Sequence, residues 1–153
     1  MKILIAEDDG ITRRRLQHFL EKWDHHVITS ENGLDALEHF LSKDIDIVIT
    51  DWMMPEMDGL ELVGHIRSRG REKPYVYTIL LTSRGDKEDV VKGLSEVGVD
   101  DYVIKPFEPD ELRARLTVGE RTVRLERTLR EYGEGLEKIV QKQTRLIRQT
   151  QEE

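Results

Sequence analysis

Four separated places in this chain hold side chains whose types suggest joint chemistry: the acidic run Glu7-Asp8-Asp9, the single acid Asp51, the hydroxyl of Thr82 and the amine of Lys105. Several carboxylates brought close together repel one another and call for a cation. A set of oxygen donors without histidine or cysteine suits a hard ion such as Mg²⁺, which takes one or two carboxylates directly and keeps several waters. A carboxylate not fully engaged with the ion can act as a nucleophile toward phosphorus. The acyl phosphate so formed depends on neutralising the charge of the transferred group more than on an acid or base. Lys105 can supply a positive charge for this and Thr82 a hydrogen-bond donor. Taken singly, each residue has an ordinary alternative: Asp51 as a turn or helix cap, Thr82 as a strand-end hydroxyl, Lys105 as a solvated charge. Their common placement is what separates the readings.

That placement follows from the apolar pattern. Short runs rich in β-branched residues, at Ile3–Ala6, Val27–Ile28, Ile45–Ile49, Tyr77–Leu81 and Tyr102–Ile104, predict five buried strands. Amphipathic stretches at Thr12–Trp23, Gly33–Ser42, Gly59–Arg69 and Lys87–Val97 predict helices between them. Strand and helix in alternation give an α/β fold with a doubly wound parallel sheet, whose ligands gather beyond the carboxyl ends of the strands. Every candidate residue falls at or just after such an end.

From about Asp110 the pattern changes. Val118, Leu125, Leu129, Tyr132, Leu136, Ile139 and Leu146 follow a 4-3 alternation, with Thr122, Gln143 and Thr150 filling its gaps, as in a coiled-coil seam. Gly133 and Gly135, each unfavourable in a helix by about 1 kcal/mol, predict a weak point or hinge beside Tyr132. A plainer alternative is a helix folded back on its own domain. Residues 1–110 hold 14 basic and 23 acidic side chains against 10 and 8 in residues 111–153, a shift that supports a boundary near 110–120. The expected division is a domain over 1–120 and a coiled-coil helix over 121–153.

Composition narrows the function classes. At 153 residues with a formal charge of -7, the chain suits one domain with an appendage, and its net acidity argues against DNA or RNA as a partner. The lack of cysteine fits a reducing compartment, so cytoplasm is the expected location. The opening Met1–Ala6 run is too brief for a signal peptide or a membrane span. The five histidines, His18, His25, His26, His39 and His65, lack metal-ligand spacing and read as surface imidazoles, and Arg13-Arg14-Arg15 reads as the solvated face of the first helix.

The stretches ILIAEDD, VITDWMMPEMDGLEL, ILLTS and DDYVIKPF, in this order, resemble the response-regulator receiver family over about residues 1–120. The resemblance implies a flavodoxin-like five-stranded sheet. It implies Asp51 as the phospho-acceptor, Asp8 as a direct Mg²⁺ ligand and Glu7 as a ligand through water or a positioning acid. Met53 would offer its backbone carbonyl to the metal, and Asp9 is left as either an outer charge or a helix cap. Thr82 and Lys105 would contact the phosphoryl group, and the Lys105–Pro106 peptide would be cis. Tyr102 matches the family's aromatic switch, which turns inward when Thr82 is drawn toward the phosphoryl group. The altered face would comprise the Lys87–Val97 helix, the fifth strand and the helix after it.

The implied function is a Mg²⁺-dependent signalling module that takes a phosphoryl group from a sensor histidine kinase or phosphotransfer protein and acts on no outside substrate. Its output would be a change in how two copies pair through the C-terminal helix. The stretches VGERTVRLERTL and TRLIRQTQEE resemble connectors between receivers and cyclic-di-GMP enzymes, so the chain could be a fragment of such a regulator. A constitutive dimeric scaffold is the alternative. A magnesium-dependent phosphatase with the same nucleophile is a third reading, disfavoured by the lack of a general acid near Asp51.

Overall fold

The computed structural model describes residues 1–70, 73–83 and 93–152. Five strands, β1 (Lys2–Ala6), β2 (His26–Ser30), β3 (Ile47–Asp51), β4 (Tyr77–Thr82) and β5 (Asp101–Ile104), form one parallel sheet in the order β2-β1-β3-β4-β5. The reversal of direction at β1 is the switch point of a flavodoxin-like doubly wound sheet. Sequence placed the third strand two residues early. Ile45 is buried as predicted, but it lies ahead of the strand, which runs through Asp51 itself.

Among the described residues, four α-helices surround the sheet: α1 (Gly10–Lys22), α2 (Gly33–Ser42), α3 (Gly59–Arg67) and α4 (Pro109–Glu152). Residues 87–92 of the predicted Lys87–Val97 helix lie outside the described residues, and its end, Gly93–Val97, is a single π-helical turn. Successive side chains of β1 serve opposite faces. Ile3 and Ile5 pack with Leu16 and Leu20 of α1 and with Leu112, Leu116 and Val123 of α4. Leu4 and Ala6 pack with Ala36 and Phe40 of α2 and Leu62 and Ile66 of α3. Burying each such aliphatic side chain contributes about 1.5–3 kcal/mol, so both faces hold the sheet in place.

The helix starts are specified locally. Asp9, Asn32 and Asp58 cap α1, α2 and α3, each accepting a hydrogen bond from the backbone N–H three residues on. Asp9 is therefore a helix cap, which resolves the choice left open by the sequence.

The long helix has two working faces. Leu112, Leu116, Gly119 and Val123 are buried against the body, and a Cβ at Gly119 would come 2.7 Å from Cδ1 of Tyr77, so only glycine permits this approach. Farther along, Arg127 bonds Asp46 at 2.6 Å and the Tyr75 carbonyl at 3.2 Å. The seam residues Val118, Leu125, Leu129, Tyr132, Leu136, Ile139 and Leu146 are all exposed, as are Val140 and Ile147. No hinge forms at Gly133 or Gly135; the helix runs through both without a break. Hydrogen bonding along a single helix outweighs a modest propensity cost at two interior positions. No helix among the described residues is long and apolar enough to cross a membrane.

Candidate functional site

The strand register assembles the site. Ala6 pairs with Thr50, so Glu7 and Asp51, each one residue further on, reach the same level of the sheet. Asp51 is opposite Leu81 and Thr82 is opposite Ile104, which brings Thr82 and Lys105 to that edge as well. The Lys105 backbone N–H donates to the Thr82 carbonyl at 2.8 Å, joining these two segments.

At the centre, Lys105 Nζ lies 2.8 Å from Glu7 Oε1 and 3.1 Å from Asp51 Oδ2. Carboxylate oxygens of Glu7, Asp8 and Asp51 lie within 4.8 Å of one another. Glu7 is fully buried and Asp51 nearly so, whereas Asp8 is exposed. Burial, helped by the Asp51 charge and opposed by Lys105, raises the Glu7 pKa to about 7. Burial likewise raises that of Asp51, with Lys105 opposing and Asp8 adding to the rise. For Lys105, burial acts to lower the pKa, but the hydrogen bonds to Glu7 and Asp51 outweigh it and hold the amine charged. Glu7 Oε2 is buried without a hydrogen-bond partner, which leaves this all-oxygen pocket one strong acceptor short of a donor or cation. Three close carboxylates and an orphaned oxygen fit a hard divalent ion.

Thr82 is buried and its hydroxyl donates to the Ser83 carbonyl at 3.2 Å. The Lys105–Pro106 peptide is cis, as the resemblance implied. Met53, two residues after Asp51, is exposed. Gly59 is set by a close approach: a Cβ there would stand 2.2 Å from the Asp51 carbonyl oxygen, so the missing side chain lets the start of α3 press against the end of β3. Tyr102 is half-buried against Val63, Leu80 and Val99, with the Arg115 guanidinium 5.9 Å from its ring centroid.

Two parts of the sequence reading need correction. The arginines of α1 are not simply a solvated face. Arg13 Nη1 donates to the carbonyls of Glu7 at 2.9 Å and Asp8 at 3.4 Å, and Arg15 Nη1 donates to the Phe107 carbonyl at 3.1 Å. The available signal was that Arg13 stands one helical turn after the cap Asp9, where a side chain can reach back over the preceding loop. Nor is His25 a surface imidazole: its side chain is 8% exposed and Nε2 lies 3.1 Å from Glu120 on α4. That contact joins residues 95 positions apart, which no local pattern could reveal.

A cation-ready acidic pocket and a lysine at the carboxyl edge of a β2-β1-β3-β4-β5 sheet define the receiver class of signalling domain. The response regulator receiver domain model matches residues 3–117, and the chain belongs to that family. It is 38% identical over 120 residues to the chemotaxis protein CheY1 of Helicobacter pylori, an alignment covering 77% of this chain and 95% of that protein. It is 37% identical to the transcriptional regulatory protein ResD of Bacillus subtilis, covering 75% of this chain but 46% of ResD. Among solved structures, the signal receiver domain of an HD domain-containing protein from Pseudomonas fluorescens Pf-5 superposes with a TM-score of 0.74 at 26% identity, covering 82% of this chain and 98% of that one. The chain is thus a receiver domain of two-component response regulators followed by a long helix.

Proposed function

We propose that this receiver accepts a phosphoryl group on Asp51 from a sensor histidine kinase or a phosphotransfer protein. The observation that carries this reading is Lys105 Nζ held between Glu7 and Asp51 at 2.8 and 3.1 Å, with Asp8 completing the acidic pocket. An Asp51 carboxylate oxygen attacks phosphorus; the new P–O bond forms as the P–N bond of phosphohistidine breaks, and the leaving imidazole keeps the electron pair and takes up a proton. Lys105 offsets charge on the phosphoryl oxygens, and the Thr82 hydroxyl donates to one of them. Asp8 and Asp51 would hold Mg²⁺ directly, Glu7 through water and Met53 through its carbonyl. Held there, Mg²⁺ would supply positive charge that offsets the negative charge of the transferring group. The chain acts only on its own aspartate.

For readout, movement of Thr82 toward the phosphoryl group gives Tyr102 room to turn inward from its half-buried position. We assign residues 1–120 to the receiver and 121–153 to a coiled-coil helix that pairs two copies. Exposure of the seven apolar seam residues supports pairing, and in register a parallel pair sets Arg121 against Glu126 of the second copy. The resemblance of VGERTVRLERTL and TRLIRQTQEE to connectors before cyclic-di-GMP enzymes supports a connection to such an output.

One observation favours a second reading. The receiver does not cover the seam residues, so pairing could be constitutive and indifferent to phosphorylation. Acetyl phosphate or beryllofluoride with Mg²⁺ separates the two, with mass and sedimentation measured for wild type and Asp51→Asn. The first reading expects a covalent phosphoryl adduct that Asp51→Asn abolishes, together with a change in assembly. An unmodified wild type would remove the phospho-acceptor assignment. A modified dimer with unchanged assembly would establish the scaffold.

A further inference from the structure

Helix α1 grips two separate parts of the site through backbone carbonyls. Arg13 Nη1 bonds the carbonyls of both Glu7 and Asp8, at 2.9 and 3.4 Å, and its Nη2 lies 3.3 Å from Glu31. Those carbonyls belong to the two rigid peptide planes on either side of the Asp8 Cα. Tying both planes to one planar guanidinium restricts φ and ψ of Asp8, an exposed residue whose carboxylate must nevertheless be aimed into the pocket. Two residues farther along α1, Arg15 bonds the Phe107 carbonyl at 3.1 Å and stacks its guanidinium 4.4 Å from the Phe107 ring centroid. It thereby holds both backbone and side chain of the residue two places after Lys105. Between them, Arg14 is exposed, as is Arg15 apart from its contacts with Phe107.

We infer that Arg13 and Arg15 are positioning residues of the phosphorylation site, Arg13 fixing the direction of Asp8 and Arg15 fixing the segment that carries Lys105. This rests on the reading of Asp51 as a Mg²⁺-dependent phospho-acceptor. Electrostatics alone predicts the opposite sign for Arg13. Removing a positive charge beside an acidic pocket should tighten Mg²⁺ binding, whereas loss of a positioning contact should weaken it. The direction of the change therefore identifies the cause.

The test titrates the full chain with Mg²⁺, reading fluorescence of Trp52, the neighbour of Asp51, and separately follows phosphoryl incorporation from acetyl phosphate at saturating Mg²⁺. Arg13→Ala should weaken Mg²⁺ binding about tenfold, within the range for loss of a contact that orients a ligand. Its incorporation rate should recover once Mg²⁺ saturates. Arg13→Lys, which keeps the charge and can satisfy one carbonyl, should fall between Arg13→Ala and wild type. Arg15→Ala should bind Mg²⁺ within about twofold of wild type while incorporation at saturation drops about tenfold. Arg14→Ala should match wild type in both readouts. Thermal melts establish folding, and if Arg13→Ala does not fold, the intermediate Mg²⁺ affinity expected of Arg13→Lys decides the matter. An unchanged or tighter Mg²⁺ affinity in the folded Arg13 variants overturns the inference while leaving Asp51 as acceptor. A wild-type chain that neither binds Mg²⁺ nor takes up phosphate overturns both.

Discussion

Lys105 pairs with carboxylates that a divalent cation would also draw on, because its amine already neutralises part of the charge of Glu7 and Asp51. Removing it should separate two properties that usually move together. Lys105→Ala is expected to bind Mg²⁺ a few-fold more tightly, since a competing cation is gone, yet to accept phosphate more slowly. Calorimetric titration beside acetyl phosphate labelling checks this, and weaker Mg²⁺ binding would contradict it. A second prediction concerns His25. Burial chiefly, then the positive amino terminus, lowers its pKa below the ordinary 6.5, and Glu120 opposes them only in part. The unfolded chain therefore binds the proton more readily than the folded one as pH falls through 6.5. This contribution to stability is complete above that pH and is lost progressively below it. His25→Gln should flatten the dependence of melting temperature on pH between about 5 and 7; an equally steep profile would assign the dependence to other groups.

At the scale of elements, α4 joins a docked half to a free half, and glycines mark the difference. Replacing glycine by alanine inside a helix ordinarily stabilises it by about 1 kcal/mol. Gly119→Ala should do the reverse, because its Cβ would meet Tyr77 at 2.7 Å and overpacking costs about 1–3 kcal/mol. Gly133→Ala and Gly135→Ala meet nothing within 4 Å and should raise helix content. Circular dichroism melts of the three variants distinguish the docked and undocked stretches; a stabilised Gly119→Ala would mean that α4 stands away from Tyr77. The heptad pattern found the exposed seam but missed the opposite face, where Leu112, Leu116 and Val123 complete the core. Residues on two faces of one helix overlap in sequence, and a single periodic pattern cannot assign both.

For the whole molecule, a docked start and an exposed distal seam let the receiver and the helix share one rigid connection. Arg127, bonded to Asp46 and the Tyr75 carbonyl, lies seven positions past the proposed boundary at 120, so the body influences the direction of the helix beyond that point. If the seam joins two copies, Leu129→Asp should give monomers by sedimentation while keeping phosphoryl uptake, since Leu129 is 64% exposed and remote from Asp51 in the chain. Leu136→Asp should act in the same direction. Dimers that survive both substitutions would place the interface on the receiver.

Strand and helix alternation made the α/β class legible, and residue types at strand ends made Glu7, Asp8, Asp51, Thr82 and Lys105 recognisable as a group. Such features are local or repeat at a short period, so they remain visible in one dimension. Tertiary structure decided the rest: the level pairing of Glu7 with Asp51, the contact of Gly59 with the Asp51 carbonyl, the grip of Arg13 and Arg15, and the burial of His25 against α4. Each depends on atoms from distant segments, or on a side chain folding back over its own loop, and so arises only when the sheet and its covering helices close together.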